Sequence, residues 1–126
     1  MSGTAKDSTV QKGRAYEDRA CRLLESEGCR ILKRNFRLGH IDIDIIARDL
    51  EGTLIFAEVK YRAKASPQHP LQAVGAAKQR NLSKAAAAYL YARGRSFGTP
   101  CRFDVIAFIG EDVTHIRGAF EMACAF

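Results

Sequence analysis

Along the chain the apolar positions change period several times, and each change marks an element. Tyr16, Ala20, Cys21, Leu23 and Leu24 recur at helical spacing. Ser8 with Gln11 three residues on makes a capping box, and Gly28 is a natural stop, so a helix is predicted from residue 9 or 10 to about 28. Residues 29–35 read as a short edge strand. Ile41, Ile43 and Ile45 then alternate with Asp42 and Asp44, the period of two of a strand. Residues 49–52 read as a hairpin turn, and 53–60 as the next strand, antiparallel to the last. A basic loop with Ser and Pro follows Tyr61 as far as Pro70. Leu71, Val74, Leu82, Ala85 and Tyr89 mark a second, alanine-rich helix ending near Gly94. Residues 101–109 are apolar nearly throughout, as expected of a strand buried on both faces. Residues 110–112 make a tight turn, and 113–116 a closing strand.

The predicted order is helix, three strands, helix, two strands. The second helix acts as a right-handed crossover that returns the fourth strand parallel to the third. The fold class predicted is α/β, a mixed central sheet of about five strands flanked by two main helices. A length of 126 residues fits one domain. At that size about two thirds of the unfolded surface can be buried, so no metal or disulfide staple is needed. The domain is expected to span 8–126, with residues 1–7 unordered and no internal repeat.

Composition narrows the class. With 47% hydrophobic and 27% charged residues the chain is neither disordered nor low-complexity. No apolar run approaches the ~18 residues of a membrane span, and the polar N-terminus lacks a signal core. A cytoplasmic protein with no membrane role is the expectation. The four cysteines are far apart in sequence with no C-x-x-C pair, so reduced structural thiols are expected rather than zinc ligands.

Charge changes the picture more. The formal net charge is +6, yet residues 59–103 hold nine basic residues and no acidic one. The rest of the chain has eleven basic residues against fourteen acidic, so the whole excess belongs to one stretch. Such a field attracts polyanions, nucleic acid first among them. The alternative is a solvated helix face. A membrane surface fits less well, because large aromatics do not interleave with the basic residues. Arg62, Lys64, Lys78 and Arg80 are the candidates for phosphate contacts, and Gln72 a weaker one for the rim.

Glu58 and Lys60 stand two apart on one strand and so share a face. Asp44 lies on the preceding strand among isoleucines, where a carboxylate is costly unless paired or coordinated. Two carboxylates and a lysine on neighbouring strands suit Mg²⁺, or Mn²⁺, with positions left for water and a phosphate oxygen. Lys60 could hold a hydroxide or neutralise charge developing on the phosphate. The alternative is a Glu58–Lys60 ion pair at a strand end. Asp104 is expected in an internal ion pair with Arg102. His40, His69 and His115 have no spaced partner that suggests a ligand pair. Tyr61 could stack on a base or pack at the strand end.

Asp44 followed by Glu58-Val59-Lys60 resembles the D…(D/E)-x-K signature of the restriction-endonuclease-like fold. Gly13-Arg14-Ala15-Tyr16-Glu17 matches the G-x-x-x-E opening of archaeal Holliday-junction resolvases and of the bacterial YraN-type family. The YraN-type resemblance covers nearly the whole chain. It includes Asn35, Asp42 to Ile46 where the family has G-E-I-D-L-I, and Phe56 to Lys60 in place of F-V-E-V-K/R. It continues through Lys78 to Cys101-Arg102-Phe103-Asp104-Val105. The resemblance implies a nuclease core and a metal-dependent activity on DNA, with Asp44 and Glu58 as metal ligands and Lys60 as the catalytic lysine. It also implies that Glu17 reaches in from the first helix as an outer carboxylate. Glu17 shares a helical stripe with Cys21 and Leu24; the alternative is a solvated carboxylate near the helix start.

Two departures stand out. Asp42 replaces the usual glutamate, and Ile41 the usual glycine, with Gly39 two residues earlier. Asp42 is either a supporting carboxylate beside Asp44 or a surface residue. Three functions follow from these features: a metal-dependent endonuclease acting on branched or single-stranded DNA, a nucleic-acid-binding protein that keeps the fold without cleaving, and a protein-interaction adaptor. A homodimer is expected if two sites pair to cut two strands.

Overall fold

The computed structural model describes residues 4–63, 74–95 and 98–122, with backbone alone for 4–11. The elements are α1 (Thr4–Ser26), β1 (Arg30–Leu38), β2 (Ile41–Arg48), β3 (Leu54–Arg62), α2 (Ala76–Ala92), β4 (Cys101–Ile109) and β5 (Asp112–Phe120). The strands form one mixed sheet in the order β1-β2-β3-β4-β5. β3 and β4 run parallel, and the other neighbours antiparallel. This is the α/β architecture that the pattern predicts, with β4 parallel to β3.

Several boundaries differ from the sequence reading. α1 starts at Thr4, ahead of the Ser8 capping box. α2 starts at Ala76, with Val74 buried just before it, and Leu71 lies outside the described residues. β1 runs on to Leu38 because its partner continues to Ile41, the two joined by a tight turn at Gly39 with φ +61°. β5 reaches Phe120, which stacks on Phe103 of β4 with centroids 4.6 Å apart. Its Thr, Arg and Gly residues hide that strand from a hydrophobicity pattern.

The sheet buries both faces. Ala20 and Leu24 of α1 pack on Ile45, Ile55, Ala57, Ile106 and Phe108. On the other side Leu82, Ala85 and Tyr89 of α2 pack on Ile43, Ile46, Phe56, Phe103 and Val105. β3 and β4 thus supply both cores, which is why their sequences lack polar alternation. Phe36 and Phe56 both meet Tyr89 edge-on, at 5.3 and 6.1 Å. Cys21, Cys29 and Cys101 are free thiols whose pKa values burial pushes up. Cys124 lies outside the described residues. Among the described residues no helix is long and apolar enough to cross a membrane.

Asp104 does form the expected internal pair. Its carboxylate accepts hydrogen bonds from Arg102 Nε at 3.0 Å and the Gly118 amide at 3.1 Å. His115 bridges it to Glu27, at 2.8 and 3.3 Å. Burial pushes the Asp104 carboxyl up, but the bonds from His115, Arg102 and Gly118 win and hold it below the usual carboxylate range. His115 therefore has two partners that lie too far away in sequence to be seen by spacing.

The expected single alternation of β2 is broken. Ile41 and Ile43 pack on the α2 side, whereas Ile45 packs on the α1 side. Residues two apart in a strand normally share a face. The partner strand changes face at the same place: Arg34, opposite Ile45, pairs with Glu17 and Asp18 of α1, while Phe36, opposite Ile43, packs toward α2. Between them Asn35 adopts φ +54°, the left-handed region that turns the chain. We expect Asn35→Ala to cost ~1–2 kcal/mol and Asn35→Gly much less. Both lose the side chain, so their difference in urea unfolding reports the backbone alone. Equal stabilities would remove the conformational explanation.

Candidate active site

The β2–β3 ladder ends at Ile45 opposite Ala57, although β3 continues to Arg62. Beyond that point the strands part, and α2 lies against the opening. The result is a cleft of about 470 Å³ lined by His40, Asp42, Asp44, Glu58, Lys60 and Lys78, with Asn81 and Leu82 at its α2 wall. Asp44 takes up part of the interrupted ladder. Its Oδ2 accepts a hydrogen bond from the Val59 amide at 2.8 Å.

Glu58 is 5% exposed, a carboxylate sunk between the sheet and α2. Both site lysines converge on one of its oxygens: Lys78 Nζ lies 2.6 Å and Lys60 Nζ 3.3 Å from Oε2. Burial, then the neighbouring charge of Glu58, pushes the Asp44 carboxyl up to about 7. The Val59 amide opposes that shift, and Glu17 adds to it. Burial and the adjacent Lys78 lower the Lys60 pKa against the pull of Glu58. Burial also lowers that of Lys78, but its contacts with Glu58 and Lys60 raise it overall. Negative charge is thus concentrated between Asp44 and Glu58, and two ammonium groups lean on it from one side.

The structure brings Asp44, Glu58 and Lys60 together as the sequence suggests. Glu17 stands behind them on α1, its Oε1 accepting hydrogen bonds from Arg34 at 3.2 Å and Asn35 at 3.1 Å. Lys78 sits inside the cleft rather than on an outer phosphate-binding face. Arg80 is exposed on α2, and Arg62 is half-buried at the end of β3. Lys64, Gln72 and His69 lie outside the described residues. Asp42 is exposed and paired with Arg37 at 2.8 Å, the surface alternative for that residue. Tyr61 stacks on Tyr16 with centroids 4.2 Å apart, so it packs at the strand end while remaining 40% exposed. His40 and Asn81 were not anticipated in the cleft. Asn81 is three residues after Lys78 on the same helical stripe, a spacing that could have pointed to it.

The donor set decides which ion would fit. Among the described residues no group of three or more His, Cys, Asp or Glu could hold a metal. Two facing carboxylates are too few for a structural zinc centre. Asp44 and Glu58 could hold at most a hard cation that keeps most of its waters, as Mg²⁺ does.

The sequence model of the "Uncharacterised protein family UPF0102" matches residues 16–108. The chain belongs to this family. UPF0102 is the YraN-type family that the motifs resemble. A UPF0102 protein of Dechloromonas aromatica is 39% identical over 124 residues, covering 96% of this chain and 98% of the relative. One from Lachnoclostridium phytofermentans is 38% identical over 110 residues, with 87% and 92% covered. One from Chlorobium phaeobacteroides is 48% identical over 108 residues, with 83% and 82% covered. Among solved structures, that of Pyrococcus furiosus SfsA in complex with Ca²⁺ aligns at 17% identity and a TM-score of 0.36, over 86% of this chain and 63% of that one. Glu17, Asp44, Glu58, Lys60 and Lys78 all fall inside the span matched to UPF0102.

Proposed function

We propose that this UPF0102 protein is a metal-dependent endonuclease that hydrolyses DNA phosphodiester bonds, in branched or single-stranded DNA. The observation that carries the reading is the convergence of Asp44, Glu58 and Lys60 in an open cleft, with Asp44 pushed up to about 7 by burial and by Glu58. Two carboxylates brought together in a partly buried cleft favour a cation between them. Asp44 and Glu58 would hold Mg²⁺ or Mn²⁺, which when bound polarises the phosphodiester and acidifies a water.

The chain's own groups do the rest. The Val59 amide fixes the Asp44 carboxylate, leaving it aimed along the cleft. Lys60, at the Glu58 carboxylate, is placed to neutralise charge that develops on the phosphate oxygens. Glu17 supports from behind, through its charge on Asp44. Arg62, Lys64 and Arg80, from the acid-free stretch, supply phosphate contacts that bring the backbone to the cleft. The same reading places the protein in the cytoplasm with DNA, and pairs two copies where both strands of a duplex are cut.

One contact favours a second reading. Lys78 holds Glu58 at 2.6 Å, as in a protein that keeps the fold and binds nucleic acid without cleaving it. The test uses labelled single-stranded, duplex and four-way-junction DNA with Mn²⁺ or Mg²⁺, and Glu58→Ala in parallel. Cleavage by the wild type that the variant lacks supports the endonuclease and reports the preferred DNA shape. Salt-sensitive binding by both proteins without cleavage favours the binding protein. Negligible binding at low salt overturns both.

A further inference from the structure

Lys78 occupies an uncomfortable position. It is in the first turn of α2, after the N-cap Gly75, which makes no side-chain capping hydrogen bond. That turn has no acidic residue, and the positive end of the helix dipole disfavours an ammonium there. Glu58 is what draws it in, at 2.6 Å, onto the same Oε2 that Lys60 already contacts at 3.3 Å. The Glu58 side chain is only 6% exposed, whereas that of Lys78 is 39% exposed. The carboxylate cannot move toward solvent, but the ammonium can. Lys78, Lys60 and Asp44 all line the same cleft.

We infer that Lys78 and a divalent cation compete for the Glu58 carboxylate, so that cation binding releases the Lys78 ammonium to hold the phosphodiester in the cleft. The inference rests on the reading of Asp44 and Glu58 as cation ligands, and adds to it a coupling between cation and DNA. Three positive groups cannot share one buried oxygen without strong repulsion. Of the two lysines, Lys78 is the one with the helix dipole against it and the exposed route out. Once detached, its charge is best met by an anion at the mouth of the cleft. The lysine thereby serves in turn as counter-ion for the carboxylate and as a phosphate contact.

The experiment titrates Mn²⁺ into the full chain and follows the free-ion signal by electron paramagnetic resonance. Wild type, Lys78→Met, Lys78→Gln and Glu58→Gln are compared, with circular dichroism melts as the folding check. Removing a charge-assisted contact to Glu58 should tighten Mn²⁺ binding by roughly tenfold or more in both Lys78 variants. Glu58→Gln should weaken it. Equal or weaker binding by the Lys78 variants, with a site still present in the wild type, overturns the competition but leaves the cation ligands standing. No Mn²⁺ binding by any of the four proteins overturns the cation reading itself. A second measurement reads the release: Ca²⁺ should raise wild-type affinity for a short single-stranded oligonucleotide several-fold more than it does for Lys78→Met. An equal rise in both proteins overturns it.

Discussion

Glu58→Ala and Lys60→Ala are each expected to lower the single-turnover rate of DNA cleavage by ~10²–10³-fold without weakening DNA binding. The two substitutions act differently. Glu58→Ala removes one of the two carboxylates that would hold the cation and strands both site lysines without their counter-ion. Lys60→Ala leaves Glu58 paired with Lys78, so the carboxylate remains in place and only the charge beside the reacting phosphate is lost. On the reading that Arg62, Lys64 and Arg80 supply most of the phosphate contacts, binding should survive both substitutions. Rates measured with the DNA shape that the wild type cuts best would settle the matter, and wild-type rates in both variants would sink the assigned mechanism.

The second large effect concerns stability. Asp44 has a folded-state pKa of about 7 against an ordinary 3.8, raised by burial first and by Glu58 next. A raised carboxyl binds more protons in the folded state than in the unfolded one, so stability is full below pH ~4 and falls as pH rises toward 7. The loss approaches ~4 kcal/mol from this group and levels off above pH 7. Asp44→Asn should remove the fall, leaving the variant more stable than wild type at pH 8 in chelator. Mg²⁺ added at pH 8 should restore the wild type and leave the variant unmoved. Asp104 works in the opposite sense: its lowered pKa gives stability that is full above ~3.8 and lost only below it. The two windows do not overlap, so the difference between wild type and Asp44→Asn in urea unfolding between pH 5 and 8 reports Asp44. An identical slope in wild type and variant would assign the effect to another group.

Much of this was legible in the residues. The order of elements, the parallel return of β4 and the meeting of Asp44, Glu58 and Lys60 follow from period, turn chemistry and the E-x-K spacing. Other features were hidden for physical reasons. The face change at Asn35 and Asp44 depends on one backbone angle, which residue identity does not specify. Lys78 is one basic residue among nine in its stretch, and only the docking of α2 over the parted strands shows that it meets Glu58. His115 looked isolated because its partners, Asp104 and Glu27, come from a different strand and from the turn after α1. The length of β5 could not be read because an edge strand with one solvated side carries few apolar positions.

The parallel pairing of β3 with β4 also bears on how the chain folds. β1, β2 and β3 form a meander joined by short turns, so their contacts are local and close quickly. Asp44 and Glu58 are brought together within that meander. β4 must instead find β3 across the whole connection from Arg62 to Cys101, with α2 carried in it. Closing that crossover costs chain entropy before any contact repays it, and should set the folding rate. The chain is therefore expected to bring its carboxylates together first, with Lys78 joining them only when the crossover closes.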